Sequence, residues 1–425
     1  MARIWIQNGR VIDPSRELDR VTNVFIDDER IADIGDAPQE ADQIIDATNQ
    51  IVCPGFIDLY TELREPGSEE DETIESATAA AVAGGFTSIA SIPSADPPTD
   101  TQASVEFISH QAKRADNCHV FVLACVSKGR AGEELSEMGS LVEAGAVGFT
   151  DANRPIFNAE LMRRALEYSR MFHRPILNLP QVPELNQDGV VHDGLVSTIL
   201  GLPGMPPAAE DVMTGRDIRL AEATGGTLHL MKISTSGSVE IVRQAKARGI
   251  KVSAGLSAAN LIGTDETIRS FDTNFKLNPP LRSQDHLDAC IAGLTDGTID
   301  VICSGHAPRA TEKKMLVLNA APFGIVNLET TLGLVGTKLV HAGHLDWSAA
   351  IHKMSVAPAQ ILGLEQKGSL NAGSDADITV FNPDQPWTVS TKELHSKSSN
   401  TPLDGWTLHG RATHVIVGGQ LKKQP

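Results

Sequence analysis

Asp58, Tyr60 and Glu62 occupy alternate positions in one apolar run from Pro54 to Gly67, which breaks at Arg64-Glu65-Pro66-Gly67 into a polar turn. Every second side chain of an extended strand shares a face, so if Asp58 looks inward the phenol and the second carboxylate do too. Two carboxylates can hold a cation or move a proton, and an arginine just behind them suits a planar carboxylate. His229 and Lys232 share the run Thr227–Ser234 at odd spacing and must face opposite ways. Lys232, nearer the end of the run, is expected to point into a strand-end site, which leaves His229 to pack as a structural histidine. Asp151, His306 and Arg64, gathered at one mouth, would suit a small anionic ligand.

These residues need a scaffold that brings strand ends together. Eight β-like runs appear: Gly55–Tyr60, Phe86–Ile92, His119–Val126, Ala146–Asp151, Pro175–Leu179, Thr227–Ser234, Lys251–Leu256 and Asp300–Ser304. Helical stretches such as Thr73–Ala83, Ala159–Met171, Ser236–Ala247 and His286–Leu294 separate them, several followed by a stopping glycine (Gly84, Gly249, Gly297). Strand and helix alternating over roughly 300 residues predict an α/β fold, a (β/α)8 TIM-type barrel whose site lies at the C-terminal strand ends. Both ends of the chain have a different texture. Ile4–Gly9, Val24–Asp28 and Gln43–Asp46 return in kind as Ala376–Phe381 and His414–Gly419, reading as short antiparallel strands. We expect residues 1–53 and 369–425 to form one composite, sandwich-like β domain beside a barrel spanning 54–368.

Composition sets outer limits. A formal charge of −18 argues against nucleic acid or an anionic membrane as partner, and no apolar run approaches the ~20 residues of a membrane span. The five cysteines lack a CxxC pair and read as buried free thiols. With no secretory signal visible in Met1-Ala2-Arg3-Ile4-Trp5-Ile6, a cytoplasmic location is expected.

Longer segments carry a specific likeness. Pro54-Gly55-Phe56-Ile57-Asp58-Leu59, Leu63-Arg64-Glu65-Pro66-Gly67, Gly84-Gly85-Phe86-Thr87, Asp272–Lys276, Asn278-Pro279-Pro280-Leu281-Arg282, Asp296–Asp300, His306-Ala307-Pro308, Ala321–Val326 and Ser396–Pro402 follow one another in the order found in dihydroorotases. Over essentially its whole length, the chain resembles dihydroorotase-like amidohydrolases. The resemblance implies a two-zinc centre that hydrolyses a cyclic amide or, in reverse, closes carbamoyl aspartate to dihydroorotate. Zinc needs imidazole or carboxylate ligands at fixed positions. At the positions the family uses, this chain has Tyr60 and Glu62 for a His-x-His pair, Asn178 and Lys232 for two histidines, and Gly305 for an aspartate; Asp151 alone is kept. Among positions expected to hold substrate, Arg64 and Asn278 are kept, Ser94 stands for an asparagine, and Arg309 follows His306-Ala307-Pro308 where a histidine is common. Misalignment could restore one ligand, His192 or His306, but not four.

From these departures three readings follow. The main expectation is a catalytically inactive, zinc-free pseudo-dihydroorotase, a homo-oligomer (dimer) that serves as structural partner of the aspartate carbamoyltransferase catalytic chain. Lys232 would then replace the metal by pairing with Glu62 or Asp151. The alternative is an active cyclic-amide hydrolase with an atypical mono-metal or metal-free site. The third is a sensor that still binds a carboxylated pyrimidine precursor through Arg64, Asn278 and Arg309.

Overall fold

The protein is described by a computed structural model covering residues 3–35 and 40–424. Eight parallel strands form the centre: β1 (Phe56–Thr61), β2 (Phe86–Ser91), β3 (His119–Ala124), β4 (Gly148–Phe149), β5 (Ile176–Asn178), β6 (Leu228–Leu230), β7 (Val252–Ser257) and β8 (Val301–Cys303). Each pairs with its neighbour in sequence order, so the (β/α)8 barrel is observed. Every residue of β1 and β2 is buried, because such a strand has helices on one face and the barrel core on the other.

The barrel closes between its first and last strands. Thr61 bridges His306 in parallel, and the Ser304 backbone N–H and hydroxyl donate to Asp58 at 2.6 and 2.7 Å. Asp58 is thus a closure residue rather than a site residue, and burial raises its pKa above the ordinary carboxylate value. Helices cover the outside. The first, Ile74–Gly84, starts from a capping box between Thr73 and Ser76 and stops at left-handed Gly85 (φ 96°). Gly84, the expected stop, lies inside the helix, where a Cβ would collide with the Leu328 backbone.

A second sheet takes strands from both ends of the chain. Its order is Gln420–Lys423, Thr407–Val417, Ile378–Thr388, Ile51–Pro54, Arg3–Asp13, Leu18–Asp27 and Arg30–Ile34, with Gln43–Asp46 also on Arg3–Asp13. The sheet is mixed, which corrects the expectation of antiparallel strands. Gln43–Asp46 and Ile51–Pro54 both run parallel to Arg3–Asp13, and the latter continues through Gly55 into β1. The core of this sheet includes Ile6, Val24, Ile26, Val52, Ile378 and Ile416. All five cysteines are buried and unpaired, and among the described residues no helix is long and apolar enough to cross a membrane.

Candidate active site

At the C-terminal mouth of the barrel lies a cavity of about 320 Å³. Its wall takes Tyr60 and Glu62 from the end of β1, Lys232 from beyond β6, Asn278 from the loop after β7, and Gly305 and Arg309 from beyond β8. Strand register puts Tyr60 and Glu62 on the expected side.

Glu62 is the hub. Its carboxylate pairs with Arg64 and lies 3.1 Å from the Arg309 guanidinium. Asn153 donates to it at 3.3 Å, and the Tyr60 hydroxyl stands 3.4 Å away. Burial, followed by the Glu62 charge, holds the Tyr60 phenol well above its ordinary pKa. A buried carboxylate needs a counter-charge, and two arginines supply it.

Lys232 therefore does not pair with Glu62 or Asp151, as was expected; no carboxylate lies within ion-pair distance among the described residues. Its Nζ donates to the Asn278 carbonyl at 2.9 Å and sits 3.5 Å above the Tyr60 ring centre. The backbone of Lys232 is left-handed (φ 49°), a conformation that is uncommon outside glycine and turns the side chain off the strand into the mouth. Desolvation brings its pKa down to about 8. Asp151 is engaged elsewhere. It accepts from the backbone N–H groups of Val126 and Ser127 at 2.9 and 3.1 Å and from the Ser127 hydroxyl, and burial raises its pKa.

Other expected site residues prove structural. Asn178 accepts from Ile156 N–H at 2.9 Å and donates to Asp217 at 2.6 Å, tying β5 to the helix Pro207–Thr224. His306 is fully buried and turned from the cavity, its Nδ1 accepting from Asn327 N–H and its Nε2 3.4 Å from Glu72. His192 lies beside Arg282 and edge-on to His286, with its pKa brought down by burial to about 4. His229 is buried against Ser253 at 2.9 Å, level with Leu177 inside the barrel rather than on the opposite side from Lys232, because the left-handed backbone of Lys232 interrupts strand alternation. The Ser94 hydroxyl is buried with no hydrogen-bond partner and lies outside the cavity wall. Gly305 is left-handed (φ 68°), and any Cβ there would collide with the Ser257 hydroxyl.

Two contributors were missed by sequence reasoning. Asn153, two residues past Asp151, joins Glu62 to Arg130, whose guanidinium donates to the Asn153 side chain and, at 3.1 and 2.9 Å, to the Asp151 carbonyl. Gln181 donates to the Asn278 side chain and so positions the loop that holds Lys232. Only the closeness of Asn153 to Asp151 offered any signal.

A parallel eight-stranded barrel with its cavity at the C-terminal mouth, joined to a sheet from both termini, defines the amidohydrolase class. L-hydantoinase from Arthrobacter aurescens superposes with a TM-score of 0.90 over 100% of this chain and 96% of its own, at 22% identity. The dihydro-orotase-like family profile matches residues 49–238, and the amidohydrolase family profile matches residues 335–421. A putative dihydroorotase of Rhodopirellula baltica is 47% identical over 98% of this chain and 92% of its own length. A dihydroorotase of a Geobacter species is 45% identical over 99% of both. The chain belongs to the dihydroorotase-like family of amidohydrolases.

These relatives correct two expectations. Several full-length relatives at 43–45% identity are named dihydroorotase, which overturns the reading of an inactive scaffold. The family is zinc-dependent, so the expectation of a zinc-free protein falls with it. The residues at the expected positions nevertheless do not fit a two-zinc centre. Among the described residues no group of three His, Cys, Asp or Glu side chains converges. Asp151 spends its carboxylate on Ser127 and Val126, while Lys232 brings an ammonium where a ligand was expected.

Proposed function

We propose that this chain hydrolyses, or in reverse closes, a small cyclic amide bearing a carboxylate, the reaction named for its dihydroorotase relatives, in the cavity at the barrel mouth. The observation that supports this most is full-length similarity combined with a cavity of about 320 Å³ lined by Lys232, Arg309 and Asn278. Arg309, steadied by Glu62, offers a planar fork to the substrate carboxylate. Lys232 is partly neutral near neutral pH and is suited to take a proton from attacking water and return it to the leaving ring nitrogen. A positioned base of this kind supplies about 10²–10⁴-fold, so turnover through these residues is expected to be slow.

The test is to follow dihydroorotate hydrolysis and carbamoyl aspartate cyclisation with the purified chain, with and without added zinc. Turnover that falls in Lys232→Met supports the reading. No turnover in either direction by folded protein sinks it. Association with an aspartate carbamoyltransferase chain and homodimer formation are separate proposals, supported by the family resemblance and tested by co-purification and light scattering.

A further inference from the structure

We propose that Lys232 is a carbonyl-reactive amine, a site at which small aldehydes or keto acids bearing a carboxylate are captured as an imine. The inference uses the same cavity as the proposed hydrolysis but does not rest on that reading.

The geometry separates Lys232 from the other buried lysines. Lys276 donates to the carbonyls of Leu318 and Asn319, Lys314 to those of Pro322 and Gly324, and Lys353 to that of Ile299. None of these amines lines the barrel-mouth cavity, although Lys276 borders a neighbouring cleft on the far side of Asn278 and Phe323. Lys232 lines it, holds one hydrogen bond to the Asn278 carbonyl, and has no carboxylate partner to keep it charged. A desolvated amine loses its proton readily and is the usual nucleophile toward carbonyl carbon. Its lowered pKa agrees with this, but Lys314 is lowered further, to about 7; access therefore distinguishes the two. Arg309, on the same wall, supplies the positive charge that selects a carboxylated carbonyl compound.

In the step itself, the neutral Nζ forms a bond to the carbonyl carbon to give a carbinolamine. Both nitrogen protons then leave with the former carbonyl oxygen as water, and a C=N bond remains. No redox partner is needed. The imine reverses by hydrolysis and becomes permanent when an added hydride reduces it.

The experiment incubates the full chain with glyoxylate and sodium cyanoborohydride near pH 7.5, then maps carboxymethylated lysines by peptide mass spectrometry. Modification of Lys232 at least about tenfold faster than of surface lysines is expected from its lowered pKa, and faster than of Lys276, Lys314 and Lys353 from its place in the cavity wall. Acetaldehyde, which lacks the carboxylate, is expected to react several-fold more slowly at this residue, and Arg309→Gln is expected to erase that preference. Lys232→Arg should remove the fast site and leave slow surface labelling unchanged. Labelling of Lys276, Lys314 or Lys353 at a rate equal to Lys232, or no labelling above surface lysines, overturns the proposal. Because the readout is an adduct, labelling without dihydroorotate turnover would sink the proposed reaction and leave this site standing.

Discussion

Two buried carboxylates with arginine partners show how differently one chain can use the same pair of residue types. Glu210, on the helix Pro207–Thr224, accepts from the N–H groups of Ser234 and Thr235 at 2.7 and 3.0 Å and from both hydroxyls, with Arg282 at 3.6 Å. Arg282 in turn donates to Ser234 and to the Met205 carbonyl. That network is complete. Around Glu62 it is not: the Arg64 Nε lacks a hydrogen-bond partner, the Tyr60 hydroxyl stands off at 3.4 Å, and a cavity adjoins the group. Fully satisfied polar networks fix a fold, whereas an incomplete one beside an open cavity has capacity left for a ligand.

The sharpest way to break this contrast is Glu210→Ala. It leaves Arg282 buried without its charge partner, and a loss of about 3–5 kcal/mol is expected in urea unfolding. A cost equal to that at Glu62 would mean that the two networks do not differ.

Lys232→Met comes next, read against pH. The folded-state pKa of Lys232, about 8, lies below its unfolded value, so below pH 8 the folded state carries the full cost of burying the ammonium. That cost is relieved as pH rises from about 8 toward 10.5. Wild type should therefore gain on the order of 3 kcal/mol more than Lys232→Met across that window, measured by denaturant midpoints.

Gly305→Asp, which installs the family's residue type, should cost about 1–3 kcal/mol because of its left-handed backbone and the Ser257 hydroxyl. Ser257→Gly should recover the part due to collision, read as a rise in melting temperature. Glu62→Gln is expected to cost less than Glu210→Ala, about 1–2 kcal/mol, since the isosteric amide keeps an acceptor for Arg64 and Arg309 while losing the charge; its mark should fall on cyclic-amide turnover.

Much of the frame was legible in the sequence. Each of the eight barrel strands overlaps its expected run because burial on both faces favours largely apolar segments such as those at His119–Val126 and Asp300–Ser304. Odd spacing misplaces His229 relative to Lys232: His229 is level with Leu177 and Ser253 inside the barrel, and Lys232 reaches the mouth as well because its left-handed backbone ends strand alternation. Pairing was not legible. Glu62 finds Arg309 across 247 positions, and the hydrogen bond of Lys232 comes from a loop whose path no local pattern encodes. The likeness to dihydroorotases singled out residues that the structure gathers around one cavity, but it could not say that arginines, rather than Lys232, would neutralise Glu62.

The second sheet also bears on how this protein is made. Cys53 meets its strand partner at Thr379, 326 positions later, so during synthesis the apolar edge Ile51-Val52-Cys53 waits roughly half a minute for its neighbour. An unpaired edge of this composition invites association with other chains. The nascent protein is therefore expected to depend on a holding chaperone, and any chain released before about residue 380 should aggregate rather than fold.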